Sequence, residues 1–179
     1  MANTYLALLR GINVGGNNKL PMKDLVEMFV AAGASDVRAY IQSGNVIFRA
    51  NVGLAERVPG LIAVRIDKRW GYRTPVVLRT TEDLRGAVRN NPFLQAGAQE
   101  ETLHVMFLAA QPEPGAVAGL DPDRSPPDAF AVRGREVYLR LPNGARSKLT
   151  NAYFDSKLGT ISTVRNWRTV NKLLEMMEE

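Results

Sequence analysis

Tyr5-Leu6-Ala7-Leu8-Leu9 is an apolar run that predicts a short buried strand, and the run Arg10-Gly11-Ile12-Asn13-Val14-Gly15-Gly16-Asn17-Asn18-Lys19 follows it directly. Pro21 then stands at a position that suits the first residue of a helix, ahead of Met22, Leu25 and Phe29 at helical spacing. A glycine-rich loop between a strand and an amphipathic helix can bring backbone amides close to a ligand. This loop therefore predicts a binding site but names no reaction.

The pattern of strands and helices continues along the whole chain. Gly33 is predicted to end the first helix, and a hairpin or a bulged extended segment is predicted around Gln42-Ser43-Gly44. A helix over 54–70 with a break at Pro59-Gly60 follows, then a strand over 74–78 and a helix through Arg89 that Thr80 or Thr81 caps. After the polar segment 95–101, strands are predicted at 103–108, 129–132 and 137–141, and helices at 112–120, 147–157 and from Arg165 or Asn166 to Met177.

This order predicts an α+β fold made of two ferredoxin-like halves, which are βαββαβ-type plaits, with a C-terminal helix. The predicted domains are 1–95, which carries the glycine-rich loop, and 96–179, which carries a basic terminal helix.

Composition restricts the possible chemistry. The 179 residues include no cysteine and a single histidine, so disulfides, thiolate catalysis and a multi-histidine metal site are excluded. We expect no metal and no cofactor. The chain begins without a signal-like segment and has no apolar run long enough to span a bilayer, so we expect a cytoplasmic protein without a membrane partner.

The net charge of +5 is concentrated in one region. Residues 133–172 hold 9 Lys or Arg against 2 Asp or Glu, whereas residues 1–132 hold 14 against 13. This excess favours an anionic partner. Scattered surface arginines that only keep the protein soluble explain it equally well.

The first loop has the G-x-x-x-x-G spacing of a P-loop from Gly11 to Gly16, but Asn17 and Asn18 replace the required Lys and Ser or Thr. A weaker hypothesis is a backbone nest for an anion at Gly15 and Gly16, flanked by Arg10 and Lys19. The structural alternative is a glycine-shaped turn in which Asn13 and Asn17 bond their own backbone.

A second candidate is Ser43-Gly44-Asn45, which can present a hydroxyl and an amide beside the first loop. A nucleophilic Ser43 requires a base. His104 lies mid-strand among apolar residues and is interpreted as a core histidine, while Lys148 is a conceivable partner that no spacing connects to Ser43. Turn chemistry is the plainer role of Ser43 and Asn45.

The third candidate lies near the end of the chain. Arg165, Arg168 and Lys172 recur at i, i+3 and i+7, which predicts a basic helix face opposite an apolar stripe that includes Trp167. Asn166 adds a polar group, and Arg146 and Lys148 precede it in the sequence. Positive charge at helix N-termini suits phosphate, although basic helix faces are commonly only solvated.

Several ordered motifs match one family. The run from Tyr5 to Gly16, Tyr40-Ile41-Gln42-Ser43-Gly44-Asn45-Val46 and Arg165-Asn166-Trp167-Arg168-Thr169-Val170-Asn171-Lys172-Leu173 together resemble the bacterial family catalogued as domain of unknown function 1697. Asn91-Pro92-Phe93, 103–108 and Pro142-Asn143-Gly144 agree with this resemblance. It implies an uncharacterised cytoplasmic α+β protein, and no catalytic residue is carried over.

The leading hypothesis is binding of a phosphate-bearing ligand or nucleic acid. The expected ligand-binding residues can each donate a hydrogen bond to an anion, from a side chain or from a backbone N–H group. They are Arg10, Asn13, Gly15, Gly16, Ser43, Asn45, Lys148, Arg165, Asn166 and Arg168. The alternatives are a small-molecule enzyme acting on an anionic substrate and a protein-interaction module with purely structural loops. Neither the reaction nor the oligomeric state follows from the sequence.

Overall fold

The computed structural model describes residues 1–179 and divides into two compact units. Unit 1 comprises residues 1–84 and 173–179, and unit 2 comprises residues 85–172. The predicted domains 1–95 and 96–179 are each one continuous stretch of chain. Unit 1, in contrast, combines two stretches, and the two unit boundaries fall inside the helices Thr81–Arg89 and Trp167–Glu178. No helix combines the length and the apolar character that crossing a bilayer requires.

Unit 1 contains a four-stranded antiparallel sheet with strand order β2-β3-β1-β4. Its elements are β1 (Asn3–Leu9), α1 (Met22–Ala31), β2 (Ser35–Tyr40), β3 (Asn45–Ala50), α2 (Val52–Trp70) and β4 (Val76–Thr80). The predicted apolar strand and the helix after the glycine-rich loop are confirmed. The hairpin around Gln42-Ser43-Gly44 is confirmed as the β2–β3 connection.

One face of this sheet packs against α1 and α2. Tyr5 and Phe48 stack with ring centroids 5.7 Å apart, and Phe29 of α1 lies 5.1 Å from Phe48. Alternation along β1 places Tyr5, Ala7 and Leu9 on this face, since successive side chains of a strand point to opposite sides. The core therefore fixes both ends of β1, and with them the start of the glycine-rich loop.

Helix α2 runs without a break through Pro59, so the predicted break at Pro59-Gly60 is wrong. Proline in a helix interior costs about 3 kcal/mol. Leu54 and Val58 before it, and Ile62 and Ile66 after it, are all buried against the sheet. Each such side chain contributes about 1.5–3 kcal/mol, so burial on both sides outweighs the local cost.

Two short helices follow β4, namely α3 (Thr81–Arg89) and α4 (Pro92–Gln95). Thr80 was one of two predicted caps, and it forms a reciprocal capping box with Asp83. The Asp83 amide donates to the Thr80 hydroxyl at 3.1 Å, and the Thr80 amide donates to the Asp83 carboxylate at 2.9 Å.

Unit 2 repeats the strand order of unit 1, as β6-β7-β5-β8, with antiparallel neighbours. Its core contains Met106, Leu139 and Phe154. Its elements are β5 (Leu103–Leu108), α5 (Pro114–Ala118), β6 (Ala129–Arg133), β7 (Glu136–Arg140), α6 (Asn151–Leu158) and β8 (Ser162–Asn166), followed by α7 (Trp167–Glu178). The chain is thus a mixed α+β protein with two four-stranded antiparallel sheets.

Strand β8 was not predicted, and the terminal helix begins at Trp167 rather than at Arg165 or Asn166. Ser162, Thr163 and Arg165 are polar residues that are nonetheless buried, so hydrophobic periodicity does not reveal the strand. The helix predicted from Ser147 begins at Asn151, because Thr150 accepts a hydrogen bond from the Tyr153 amide and caps it.

Candidate functional site

Three connecting segments meet at one end of the unit 1 sheet. They are residues 10–21 after β1, 41–44 before β3 and 71–75 before β4. The Leu9 amide donates to the Gly44 carbonyl at 2.9 Å, and the Arg10 amide donates to the Pro75 carbonyl at 3.1 Å. Because β1 is antiparallel to both neighbours, its last residue lies beside their first residues. We call these three segments the three-loop end.

The glycine-rich loop is a miniature hairpin. The Asn17 amide donates to the Val14 carbonyl at 2.9 Å, and Gly15 and Gly16 between them have φ of 56° and 78°. Positive φ at both central residues is the geometry of a type I′ turn, which glycine adopts without steric cost. The N–H groups of Gly15 and Gly16 form no hydrogen bond within the chain and lie at the exposed tip.

Asn13 fastens this hairpin to its surroundings. Its Nδ2 donates to the carbonyls of Leu20 and Gln42, both at 2.8 Å, and its Oδ1 accepts from the Leu20 amide at 2.8 Å. Both ends of the Asn13 amide are therefore used to hold the loop and to join it to segment 41–44. The structural alternative weighed for the sequence had Asn13 bonding its own backbone, whereas the observed partners belong to Leu20 and Gln42. Asn18 also holds the loop, by donating to the Gly11 carbonyl at 2.8 Å.

The third segment is joined through a tyrosine. The Tyr72 hydroxyl donates to the Asn18 carbonyl at 3.1 Å, and burial raises the pKa of Tyr72 above its ordinary value of 10.0. The phenol therefore remains protonated and keeps donating throughout the neutral range.

Segment 41–44 places Ser43 and Asn45 beside the glycine-rich loop. Asn45 is buried, and its Nδ2 donates to the Tyr40 carbonyl at 3.1 Å and to the Ser43 hydroxyl at 3.0 Å. A Cβ added to Gly44 would lie 2.8 Å from both Leu9 Cβ and Ile12 Cδ1, and its φ is 84°. Only glycine allows this close approach of the turn to the first loop.

Ile41 has a strained backbone that no pattern in the sequence predicts. Its φ is 50°, although β-branched residues rarely enter the left-handed region. Its side chain is 50% exposed, so core packing does not explain the strain. Strained residues persist where other interactions impose them, and they cluster at functional sites. The Asn13 bond to the next residue, Gln42, is one such interaction.

The three-loop end is electropositive. Segments 10–21, 41–44 and 71–75 contain no acidic residue, while they contain Arg10, Lys19 and Arg73. Lys19 and Arg73 are exposed, and Arg10 is half-buried and engaged in further interactions. Amide N–H groups and cations can together bind an anion.

The other predicted site residues belong to unit 2. Arg165 lies on β8, buried, with its Nη1 donating to the Thr163 hydroxyl and the Val164 carbonyl, both at 2.8 Å. Burial lowers the pKa of Arg165 to about 10, so it remains charged at neutral pH. The predicted basic helix face loses this residue, because Arg165 precedes α7.

Asn166 caps α7 by accepting a hydrogen bond from the Thr169 amide at 2.8 Å. Arg168 and Lys148 are exposed. Helix α7 itself is neutral, since Glu175 and Glu178 balance Arg168 and Lys172. The basic excess therefore lies outside the terminal helix, on the strands and loops that precede it.

A buried polar clasp holds the loop that carries Lys148, and the sequence did not predict it. The Ser125 hydroxyl donates to the Asp128 carboxylate at 2.8 Å and accepts from the Lys148 amide at 3.0 Å. Burial alone would raise the pKa of Asp128, but hydrogen bonds from Ser147, Asn143 and Ser125 outweigh it and lower the pKa. These groups satisfy one another and position the loop.

No group of three or more histidine and acidic side chains is arranged to hold a metal ion. His104 is half-buried on β5, and burial lowers its pKa below the ordinary value of 6.5, so the imidazole is neutral at neutral pH.

Comparison with known proteins gives a family and a similar fold. Residues 2–138 match the model of a family described as protein of unknown function (DUF1697). No curated protein matches the chain. A solved structure, described as the conserved bacterial protein SP0830 from Streptococcus pneumoniae, is similar, with a TM-score of 0.72 and 20% identity over 100% of both chains. At that identity the likeness shows the fold alone. The family match confirms the resemblance seen in the motifs, and the chain belongs to the DUF1697 family of proteins of unknown function.

Proposed function

We propose that the three-loop end of unit 1 binds a phosphate-bearing ligand. The observation that carries the proposal is that three loops without any acidic residue are joined by hydrogen bonds at one end of the sheet. These loops also present two exposed cations and two glycine N–H groups that have no hydrogen-bond partner. Backbone N–H groups and cations are the usual partners of phosphate oxygens.

Different residues have different roles in this proposal. Lys19 and Arg73 supply charge, Gly15 and Gly16 supply N–H donors, and Arg10 adds charge where β1 ends. Asn13, Ser43 and Asn45 position the loops through the hydrogen bonds described above. The predicted site residues Lys148, Arg165, Asn166 and Arg168 belong to unit 2, and they remain a separate proposal for anion binding within that unit.

The ligand is a small molecule or a nucleic acid, and salt distinguishes the two. For a polymer, log Kd depends on log salt with a slope of about 0.9 per duplex phosphate contact. A small ligand should show a weaker dependence of its affinity on salt than a polymer that makes several phosphate contacts.

An enzyme acting on an anionic substrate is a second candidate, because Ser43 lies in the same cluster. Asn45 Nδ2 donates to the Ser43 hydroxyl, but a donating amide cannot take the hydroxyl proton. The cations and glycine amides of the same end support binding directly, so binding is the first proposal. We also propose that each unit is a ferredoxin-like plait, since both have a βαββαβ order and the strand sequence 2-3-1-4, and that the protein is cytoplasmic.

The test is a thermal-shift and calorimetric titration with inorganic phosphate, pyrophosphate, nucleotides, sugar phosphates and short DNA. A ligand at about 100 times its Kd adds about 2.7 kcal/mol of stability. Lys19→Ala combined with Arg73→Ala is expected to weaken binding about 10- to 100-fold, or about 1.4–2.7 kcal/mol in total, because each of these exposed cations contributes less than the about 1.5–3 kcal/mol of a shielded charged hydrogen bond.

Arg57→Ala is the matched control, because Arg57 is an exposed cation of unit 1 that lies in α2, away from the three loops. It should leave affinity unchanged. Silence across the whole ligand set, or equal loss in the control and the double variant, would contradict the proposal and favour an interaction module with structural loops.

A further inference from the structure

Unit 1 contains a cavity that the three-loop end does not use. Its volume is about 470 Å³, within the range of about 300–1,000 Å³ that small-ligand sites occupy. Strands β1, β2 and β3 form one side, through Thr4, Val37 and Ile47, and the end of α7 forms the other, through Met177. Thr4 lies near the start of β1, whereas the three-loop end follows its last residue.

Two arginines line this cavity, and each is held by a carboxylate of the same chain. Arg38 Nη1 lies 2.7 Å from Glu179 Oε2, and its Nη2 donates to the Met176 carbonyl at 2.6 Å. Arg49 Nη1 lies 3.6 Å from Asp36 Oδ2, which is a longer contact. Val37, Ile47 and Met177 add apolar surface beside these charges.

The local backbone is irregular where the arginines project. The pairing of β2 with β3 shifts register between Ser35 and Arg38, and Asp36 between them has a φ of 46°. Bulges re-aim side chains, occur at sheet edges and are frequent beside binding sites. Here the bulge lies in the edge strand β2, and Asp36, Val37 and Arg38 all line the cavity.

We infer that this cavity is an anion-binding site for a small carboxylate or phosphate ester with an apolar body, in which the Glu179 carboxylate occupies the position of the ligand's anionic group. The apolar residues contact the body of the ligand, and Arg38 exchanges its bond to Glu179 for a bond to the ligand. This site is independent of the proposed phosphate site at the three-loop end.

The exposure of the ion pairs supports this exchange. The side chains of Arg38 and Glu179 are 42% and 56% exposed, and solvent-exposed ion pairs contribute little stability. The planar guanidinium of Arg38 can grip a carboxylate or a phosphate through two parallel N–H bonds. Arg38 also remains anchored to the Met176 carbonyl, which keeps it directed at the cavity when Glu179 leaves.

The test uses phenyl phosphate and benzoate as probes, titrated into the full chain and followed by backbone amide NMR and calorimetry. Saturable shifts are expected at Val37, Arg38 and Ile47, with none at Gly15 and Gly16 for benzoate. Glu179→Gln should tighten binding about two- to fivefold, since it removes the competing charge of an exposed pair. Arg38→Gln should weaken it about two- to fivefold, since Arg38 is partly exposed and its pair with the ligand replaces the pair with Glu179.

Two controls separate the sites. Arg57→Ala should not change the affinity for benzoate, and neither should the combined Lys19→Ala and Arg73→Ala substitutions at the three-loop end. Absence of saturable shifts at the cavity with either probe overturns the inference. An unchanged or lower affinity in Glu179→Gln overturns the displacement of Glu179, even where Arg38→Gln fails to fold.

Discussion

Units 1 and 2 close the same end of their sheets with the same pair of backbone bonds but with different loops. In unit 1 the Leu9 and Arg10 amides donate to Gly44 and Pro75, and in unit 2 the Leu108 and Ala109 amides donate to Arg135 and Ile161, both at 2.8 Å. The connection after the first strand is 10–21 in unit 1 and only 109–113 in unit 2. The sheet end closes without the glycine hairpin, so the hairpin is an addition to a shared scaffold.

The charged residues in these loops also differ between the two units. Segments 10–21, 41–44 and 71–75 of unit 1 carry three cations and no acid, whereas the equivalent segments of unit 2, 109–113, 134–135 and 159–161, carry Glu113 and Arg135. Loops that a rigid scaffold positions commonly carry function. The difference therefore assigns the candidate site to unit 1.

A buried arginine occurs at the same position of the scaffold in both units. Arg79 and Arg165 are each the fourth residue of the last strand of their unit, and each donates from Nη1 to the carbonyl of the preceding residue at 2.8 Å. Both are almost fully buried. A feature present in both units is part of the scaffold, while the unpartnered amides of Gly15 and Gly16 occur in one unit only.

The largest expected effect is on the free energy of unfolding, when Gly44 and Gly134 in the β-turns of the two units are each replaced by alanine. Gly44→Ala should destabilise the protein by about 2–4 kcal/mol, since the new Cβ meets Leu9 and Ile12 at 2.8 Å and must adopt a φ of 84°. Gly134→Ala, at the equivalent turn of unit 2, should cost only about 1 kcal/mol, because its φ is 59° and its nearest neighbour is 3.9 Å away. Denaturant unfolding measures both, and equal losses would contradict the comparison.

Asn13 is the next test, because unit 2 has no equivalent of the hairpin it fastens. Asn13→Ala removes three hydrogen bonds at 2.8 Å and should cost about 1–3 kcal/mol. Hydrogen exchange should become faster in residues 10–20 and remain unchanged in 109–113. Equal acceleration in both loops would show that Asn13 acts on the whole fold.

Glycine substitutions at two exposed isoleucines, Ile41 and Ile161, should change the stability of the protein in opposite directions. Ile41→Gly should stabilise the protein by about 1 kcal/mol, since glycine adopts a φ of 50° without the penalty of a side chain. Ile161 in unit 2 is similarly exposed but has an ordinary backbone, so Ile161→Gly should destabilise by about 0.5–1 kcal/mol. Thermal and urea denaturation provide the readout, and a loss of stability in Ile41→Gly would remove the argument from strain.

The smallest effect is confined to acidic solution and to unit 2. The hydrogen bonds to Asp128 lower its pKa in the folded state, so its contribution to stability is present above the ordinary aspartate value of 3.8 and is lost as pH falls below it. Asp128→Asn should reduce the acid dependence of stability in that window. An unchanged slope of stability against pH would contradict the role of the clasp.

Sequence patterns predicted most of the shared scaffold, with two exceptions. The apolar runs of β1 and β5, the stop of α1 at Gly33 and the Thr80 cap follow from local propensity and periodicity. Strand β8 escaped prediction because its buried residues are polar, and α2 continued through Pro59 because burial on both sides outweighs one lost hydrogen bond.

The candidate site was predicted in part. The glycines and the nearness of Ser43 to the first loop follow from the sequence once β1 and β3 pair. The strain at Ile41, the Tyr72 bond and the Asp128 clasp depend on contacts between residues far apart in the chain, for which a single sequence carries no signal.

The most direct test of the central claim is an amide NMR titration with pyrophosphate that observes both loops at once. The account predicts saturable shifts at Gly15, Gly16 and Lys19, with none in residues 109–113. In the combined Lys19→Ala and Arg73→Ala variant, the shifts at Gly15 and Gly16 should require about 10- to 100-fold more pyrophosphate. Shifts of equal size in both loops, or none at Gly15 and Gly16, would contradict the assignment of phosphate binding to the three-loop end.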